Sequence, residues 1–230
     1  DRQLFLREAL ETPGRTAAVV TPDRLIARRV AAELRRFDIE IDDSGGMPLA
    51  RTSIGVLARL VATIASDGAG AVNVAALLAH PLTALGLSRS RVEALAPAIE
   101  IGVLRAFGRP DGTWASRVAP ARELARATHA HPAARRITDD EWLKIEDALA
   151  RLDGAFAPFA VLESTASLSD RARAHRAALD VVIAGVEGLD EEGASNLFEL
   201  LDRLAYAEAP PGFDAHNYAA LFDRLLSETM

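Results

Sequence analysis

The chain has 230 residues, half of them hydrophobic, and a formal net charge of −7. That length suits one or two domains with a sizeable core. The acidic balance excludes a strongly basic nucleic-acid coat but leaves room for a local basic patch. The absence of cysteine excludes disulfides, thiolate zinc sites and a cysteine nucleophile.

No signal peptide and no apolar run long enough to span a bilayer is found. The chain is therefore expected to be soluble and cytoplasmic and, since it starts at Asp1, to be a piece of a longer protein. Of its 26 basic residues only Lys144 is lysine.

Residues 1–15 read as a short helix ending at Pro13-Gly14. Ala17-Ala18-Val19-Val20 is an apolar run of strand type, closed by Thr21-Pro22-Asp23. A basic amphipathic helix follows to about Phe37. Thr21 is its expected cap, Pro22 suits its first position and Asp23 its positive dipole end. Ile26, Val30, Leu34 and Phe37 form the apolar face. Arg24, Arg28, Arg29, Arg35 and Arg36 lie off it. Ile39-Glu40-Ile41 alternates like a second strand, and Asp42 to Gly46 is a loop. The helix between the two strands would be a crossover, which makes the pair parallel.

A further helix starts near Thr52 with Ile54, Leu57, Leu60, Val61 and Ile64, and Asp67-Gly68-Ala69-Gly70 breaks it. Asn73 is the expected cap of a short helix through Leu78, stopped by His80-Pro81. Ser90 with Glu93 reads as a capping box before Val92, Leu95, Ile99, Val103 and Phe107, with Pro97 as a kink or break. A turn-rich loop spans Gly108 to Gly112.

The second half reads as helical throughout. Ser116 to Thr128 carries one helix, with Pro120 as a point where it can break. Thr138 with Glu141 forms a second capping box, followed by Trp142, Ile145, Leu149 and Leu152, with Gly154 as terminator. Ser169 is the expected cap of a helix through about Val186. Leu197, Leu200, Leu201 and Leu204 line the next, ended by Pro210-Pro211-Gly212. Asp214 caps the last, with Tyr218, Leu221, Phe222 and Leu225. The fold class expected is mixed α/β but mainly α, with the strands confined to the first quarter. The domains expected are residues 1–70 and 71–230.

Candidate chemistry is sparse. A phosphate-cradling P-loop needs a lysine after its glycine-rich turn, and Lys144 sits inside a helix. Glu141 and Lys144 lack the strand and spacing of a two-metal nuclease. His129-Ala130-His131 lacks a third metal ligand nearby and reads as a solvated loop. His80, His175 and His216 read as surface or helix-end residues. Ser164-Thr165-Ala166-Ser167 has no glycine elbow. Asp139-Asp140-Glu141 and Asp190-Glu191-Glu192 precede helices, where acids favour the dipole. Trp114 and Trp142 are both candidates for stacking on bases. Trp142 falls on an apolar stripe and reads as core, whereas the loop position of Trp114 leaves both readings open. No catalytic residue, cofactor or metal is assigned.

The stretch Val19-Val20-Thr21-Pro22-Asp23-Arg24 through Ala32-Glu33-Leu34-Arg35-Arg36, then Ile39-Glu40-Ile41 and Gly45-Gly46, resembles the start of the second RecA-like domain of superfamily 1 helicases. In that family a strand ends in a nucleotide-contacting arginine. A helix with a second arginine follows, then a short strand, a Gly-Gly and a helix reached through an aromatic-rich segment ending in Glu-Arg. Arg28 falls at the second arginine and Arg51 at the end of the last segment.

Two features depart from the pattern. The nucleotide-contacting arginine aligns with Thr21 or Pro22, and the aromatic pair before Arg51 is Pro48-Leu49. The resemblance thus implies a helicase domain without its ATPase chemistry. Ala76-Leu77-Leu78-Ala79-His80-Pro81-Leu82 resembles the opening of an all-helical 2B-like insertion. More narrowly, residues 16–60 and 76–87 resemble the AddB subunit of bacterial AddAB-type helicase–nucleases.

The resemblance covers about the first 110 residues and is topological beyond them. It implies a partial RecA-like (2A-like) unit over 1–70 and a 2B-like helical domain over 71–230. It also implies DNA, a helicase–nuclease partner subunit and the remainder of the parent chain as partners, and no membrane. The candidate DNA-contacting residues are Arg24, Arg28, Arg35 and Arg51. A helical protein–protein interaction module with no DNA role is the alternative.

Overall fold

The computed structural model describes residues 17–39, 41, 47–108, 112–162, 166–208 and 213–229, without the side chains of Arg24, Arg28, Glu191, Glu192 and Ala215. The expected helix over 1–15, the loop at 42–46, Glu40, the residues 164–165 and the stop at 210–212 lie outside the described residues. Two compact units divide between Gly46 and Met47.

In the first unit the described residues hold one helix, α1 (Arg24–Arg35). No strand is seen among the described residues of the chain, so the expected parallel pair over 17–20 and 39–41 has no counterpart there. A run of β-formers becomes a strand only when another strand takes up its N–H and C=O groups. Residues 17–20 make no such ladder, and Val20 is almost fully exposed.

The second unit is a helical assembly around one core. Its helices are α2 (Ser53–Asp67), α3 (Ala71–Ala79), α4 (Arg89–Ile99), α5 (Val118–Ala125), α6 (Asp139–Ala160), α7 (Leu168–Ile183), α8 (Glu191–Tyr206) and α9 (Tyr218–Glu228). α7 is the central element. It packs against α6 and α8 on its flanks and also meets α2, which in turn carries α9. The core joins Leu57, Val61 and Ile64 of α2 with Leu149 and Leu152 of α6, Leu179 and Val182 of α7, Leu197 and Leu201 of α8, and Phe222 of α9. The described ends of the unit meet, since the Leu49 amide donates to the Thr229 carbonyl at 2.8 Å. The helix that begins at Thr52, grouped with the first unit on sequence grounds, thus packs with the second.

Several helix starts stand two or three residues earlier than their sequence signals. Ser88 rather than Ser90 caps α4, its Oγ accepting from the Arg91 amide at 3.3 Å. Ser167 rather than Ser169 caps α7, accepting from the Asp170 amide at 3.1 Å. α3 starts after Gly70, which leaves Asn73 inside it. In each serine pair the first residue is extended and the second already helical, so only the first has the backbone a cap requires. The Thr138–Glu141 box forms as expected, with the Thr138 amide donating to Glu141 Oε2 at 2.7 Å.

Gly154 does not stop α6, which runs on to Ala160. A glycine inside a helix costs about 1 kcal/mol, and the burial of Leu152 and Ala155 on either side of it outweighs that. Pro97 is accommodated within α4, which runs into a π-helical turn, Glu100–Leu104, and a last turn, Arg105–Phe107. The loop after α3 closes onto the end of α7. The Ala84 and Leu85 amides donate to the Val182 carbonyl at 2.9 and 3.0 Å, and Gly86 donates to Ala184 at 2.7 Å. These bonds satisfy carbonyls that the end of α7 would otherwise leave orphaned.

Candidate nucleic-acid interface

α1 is set by a carboxylate. Asp23 Oδ1 accepts the Leu25 amide at 2.8 Å and the Ile26 amide at 3.4 Å, and Thr21 Oγ1 accepts the Asp23 amide at 3.1 Å. Asp23 is thus the cap, and Thr21, expected in that role, holds the cap in place. The helix ends in a Schellman arrangement. Asp38 takes a left-handed φ of 56°, the Asp38 amide donates to Arg35 O at 3.0 Å and the Ile39 amide to Leu34 O at 3.1 Å. Both ends of α1 are therefore closed locally.

With about 100° of rotation per residue, positions 24, 28 and 35 fall within roughly 40° of one another. Ile26, Val30, Leu34 and Phe37 fall on the opposite side. That apolar side is open at both ends, with Ile26 49 % and Phe37 73 % exposed, while Val30 and Leu34 are half-buried. Arg35 is exposed and has no ion pair among the described residues. Arg36, on a neighbouring line of the helix, bridges to Glu33 at 3.2 Å. Arg29 is also exposed, although it is not among the DNA contacts expected from the sequence. Arg51 belongs to the other unit, as the exposed last residue of a 3₁₀ turn, Leu49–Arg51.

The remaining candidates resolve into structural roles. Trp114 is 1 % exposed, and its Nε1 donates to the Ala69 carbonyl at 2.8 Å. Asp153 receives the Trp114 and Ala115 amides at 3.0 and 2.8 Å, and burial raises its pKa above the ordinary carboxylate value. Trp114 is therefore a core anchor and offers no face to a base. Trp142 is buried, as its stripe implied. Lys144 pairs with Asp140 on the surface of α6.

His175 is fully buried, against the expectation of a surface position. It shares α7 with buried Leu168, Ala172, Leu179 and Val182 at helical spacing, a stripe legible in the sequence once the histidine is counted as part of it. His216 is exposed and paired with Asp214 at 3.0 Å. Half-buried His80 has its pKa lowered, chiefly by burial and then by Arg89. Among the described residues no group of three or more potential metal ligands converges, His129 and His131 included. No described helix is long and apolar enough to cross a membrane. No protein-family model, curated protein or solved structure matches the chain.

Proposed function

We propose that this chain is a non-catalytic, inactivated superfamily 1 helicase-like module of an AddAB-type helicase–nuclease acting in double-strand-break repair. Its role is to line a DNA channel and to pack on a partner subunit and the rest of its parent chain. In this reading the N-terminal stretch is a partial RecA-like unit and the helical remainder is 2B-like. The observation that carries it is α1, a helix closed at both ends that groups Arg24, Arg28 and Arg35 on one face. A guanidinium is suited to phosphate because its planar fork gives two parallel charge-assisted hydrogen bonds. Arg51 is a further phosphate contact in the same reading.

The inactivity rests on the sequence. The only lysine is Lys144, on a helix and ion-paired, and the position of the nucleotide-contacting arginine is taken by Thr21 or Pro22. ATP turnover and DNA cleavage are thus both expected to be absent. One observation favours a second reading, a protein-interaction module without a DNA role: exposed Ile26 and Phe37 give α1 an apolar side suited to a protein partner.

The test is fluorescence anisotropy of labelled single-stranded DNA against the 230-residue chain over a salt series. Affinity that falls steeply with salt supports the DNA module. Affinity that is absent or indifferent to salt supports the interaction module instead.

A further inference from the structure

The second unit carries a basic surface that neither the helicase resemblance nor the reading of α1 uses. Between Arg117 and Arg136 stand five arginines and two histidines against a single acid, Glu123, in a chain whose net charge is −7. Not all of that charge is available. Arg122 bridges to Asp139 at 2.5 Å, Arg126 bridges to Glu123 at 2.7 Å, and the Arg117 guanidinium lies over the Phe107 ring. Arg135 and Arg136 are different. Both are exposed and neither has an ion pair or side-chain hydrogen bond among the described residues. Elsewhere in this unit arginines are usually committed: Arg59 to Asp223, Arg105 to Glu100, Arg151 to Asp147, Arg173 to Asp170, Arg176 to Asp180 and Arg224 to Glu228.

The pair is also held in place. Arg135 and Arg136 ride on a 3₁₀ turn, Ala134–Arg136, with buried Ala134 on one side and half-buried Ile137 on the other. The Arg135 amide donates to His131 O, Arg136 to Ala133 O and Ile137 to Ala134 O, each at 3.2 Å. His131 Nδ1 accepts the Ala133 amide at 3.2 Å. Ile137 reaches the packing around Gly102, where its Cδ1 lies 2.8 Å from the place a Cβ would take. Two exposed guanidiniums, unpaired among the described residues, thus stand on an anchored turn, with exposed His129 and His131 just before them in the chain.

We propose that the Ala134–Arg136 turn, supported by His129 and His131, is a contact for the phosphate backbone of single-stranded DNA, carried by residues 47–230 and not by α1. It rests on the reading of the chain as a DNA-handling module and adds to it a contact beyond α1 and Arg51. The surface suits phosphate more than bases. Both tryptophans are buried, so neither is available to stack. Adjacent arginines can each take a phosphate oxygen in a bidentate bond without reading sequence. The contact is therefore expected to be indifferent to base order and sensitive to salt.

The test uses the whole 230-residue chain and fluorescein-labelled oligo-dT, longer than one binding site of roughly 16 nucleotides. Binding is followed over a salt series for wild type, R135Q/R136Q, R135K/R136K and R24Q/R28Q/R35Q. Removing two phosphate-binding arginines should make the log–log slope less negative by about 1.4, while the lysine pair keeps the wild-type slope. Both side chains are exposed, so unchanged circular dichroism is expected for each variant.

An unchanged slope in R135Q/R136Q, with a flattened one in R24Q/R28Q/R35Q, overturns this contact and leaves the α1 reading standing. No DNA binding by wild type overturns both. A poly-glutamate competitor that displaces DNA at equal charge, and itself binds more weakly to R135Q/R136Q, makes the turn an acidic-protein contact and overturns the proposal.

Discussion

The Tyr218 hydroxyl donates to Nδ1 of His175 at 2.9 Å, in a bond between α9 and α7 closed off from solvent. The other ring nitrogen, Nε2, lies 3.0 Å from the Ala58 carbonyl on α2. A carbonyl only accepts, so Nε2 carries the proton and Nδ1 is left to accept from tyrosine. One neutral imidazole thereby links three helices, with Phe222 packed edge-on to its ring at 4.5 Å between centroids. Burial pushes the His175 pKa down to about 3 and raises that of Tyr218, so both stay neutral across the physiological range.

That neutrality has a pH consequence. The unfolded chain takes up a proton at His175 near pH 6.5, whereas the folded protein does so only near 3. Stability from this group is complete above 6.5 and is lost as pH falls between those values, at about 1.4 kcal/mol per pH unit once well below 6.5. Between pH 6.5 and 5 the expected loss is about 1–2 kcal/mol. His80, also lowered, acts in the same direction. Urea unfolding of wild type and H175Q at several pH values isolates the His175 part. The variant should be less stable at neutral pH and should fall less steeply on acidification, and parallel curves would contradict the assignment.

Gly185, just after α7, lies against the loop that follows α3. Its φ is +90°, and a Cβ there would stand 2.1 Å from the Leu87 carbonyl oxygen. Gly185→Ala combines a disfavoured backbone with a clash against main chain, and is expected to cost at least roughly 2 kcal/mol. A urea midpoint lowered at unchanged m-value is the expected signature.

Trp114 separates a core role from a DNA-stacking role. Trp114→Phe removes the donor to Ala69 O and leaves that carbonyl unpaired, at a cost of about 1–3 kcal/mol. Thermal unfolding should record the loss, while affinity for single-stranded DNA under conditions where the variant is folded should not change. Weaker DNA binding by folded protein would return Trp114 to the interface.

What can be read in the sequence is what depends on near neighbours. The helical stripes of α2, α6 and α8 and the Thr138–Glu141 box need only their own few residues. Errors arise where distant packing decides. Nothing local marks Trp114 as buried, because its partners Ala69 and Asp153 lie 45 and 39 residues away. Residue type alone puts His175 at the surface, although its spacing matches a core stripe. Two serines two residues apart are equivalent as cap signals until the backbone chooses one. The Ala17–Val20 run offers strand chemistry without saying what would pair with it. Arg24, Arg28 and Arg35 are legible as one face from spacing alone. Arg135 and Arg136 are overlooked when their segment is weighed as a metal site and not by its charge.

The central claim is tested most directly by the salt dependence of single-stranded DNA binding in R24Q/R28Q/R35Q compared with wild type. Removing three phosphate-binding arginines from α1 should make the log–log slope less negative by about 2. The fold should be retained, because Ile26, Val30, Leu34 and Phe37 are untouched. An unchanged slope would contradict the account and leave α1 as a surface for a protein partner.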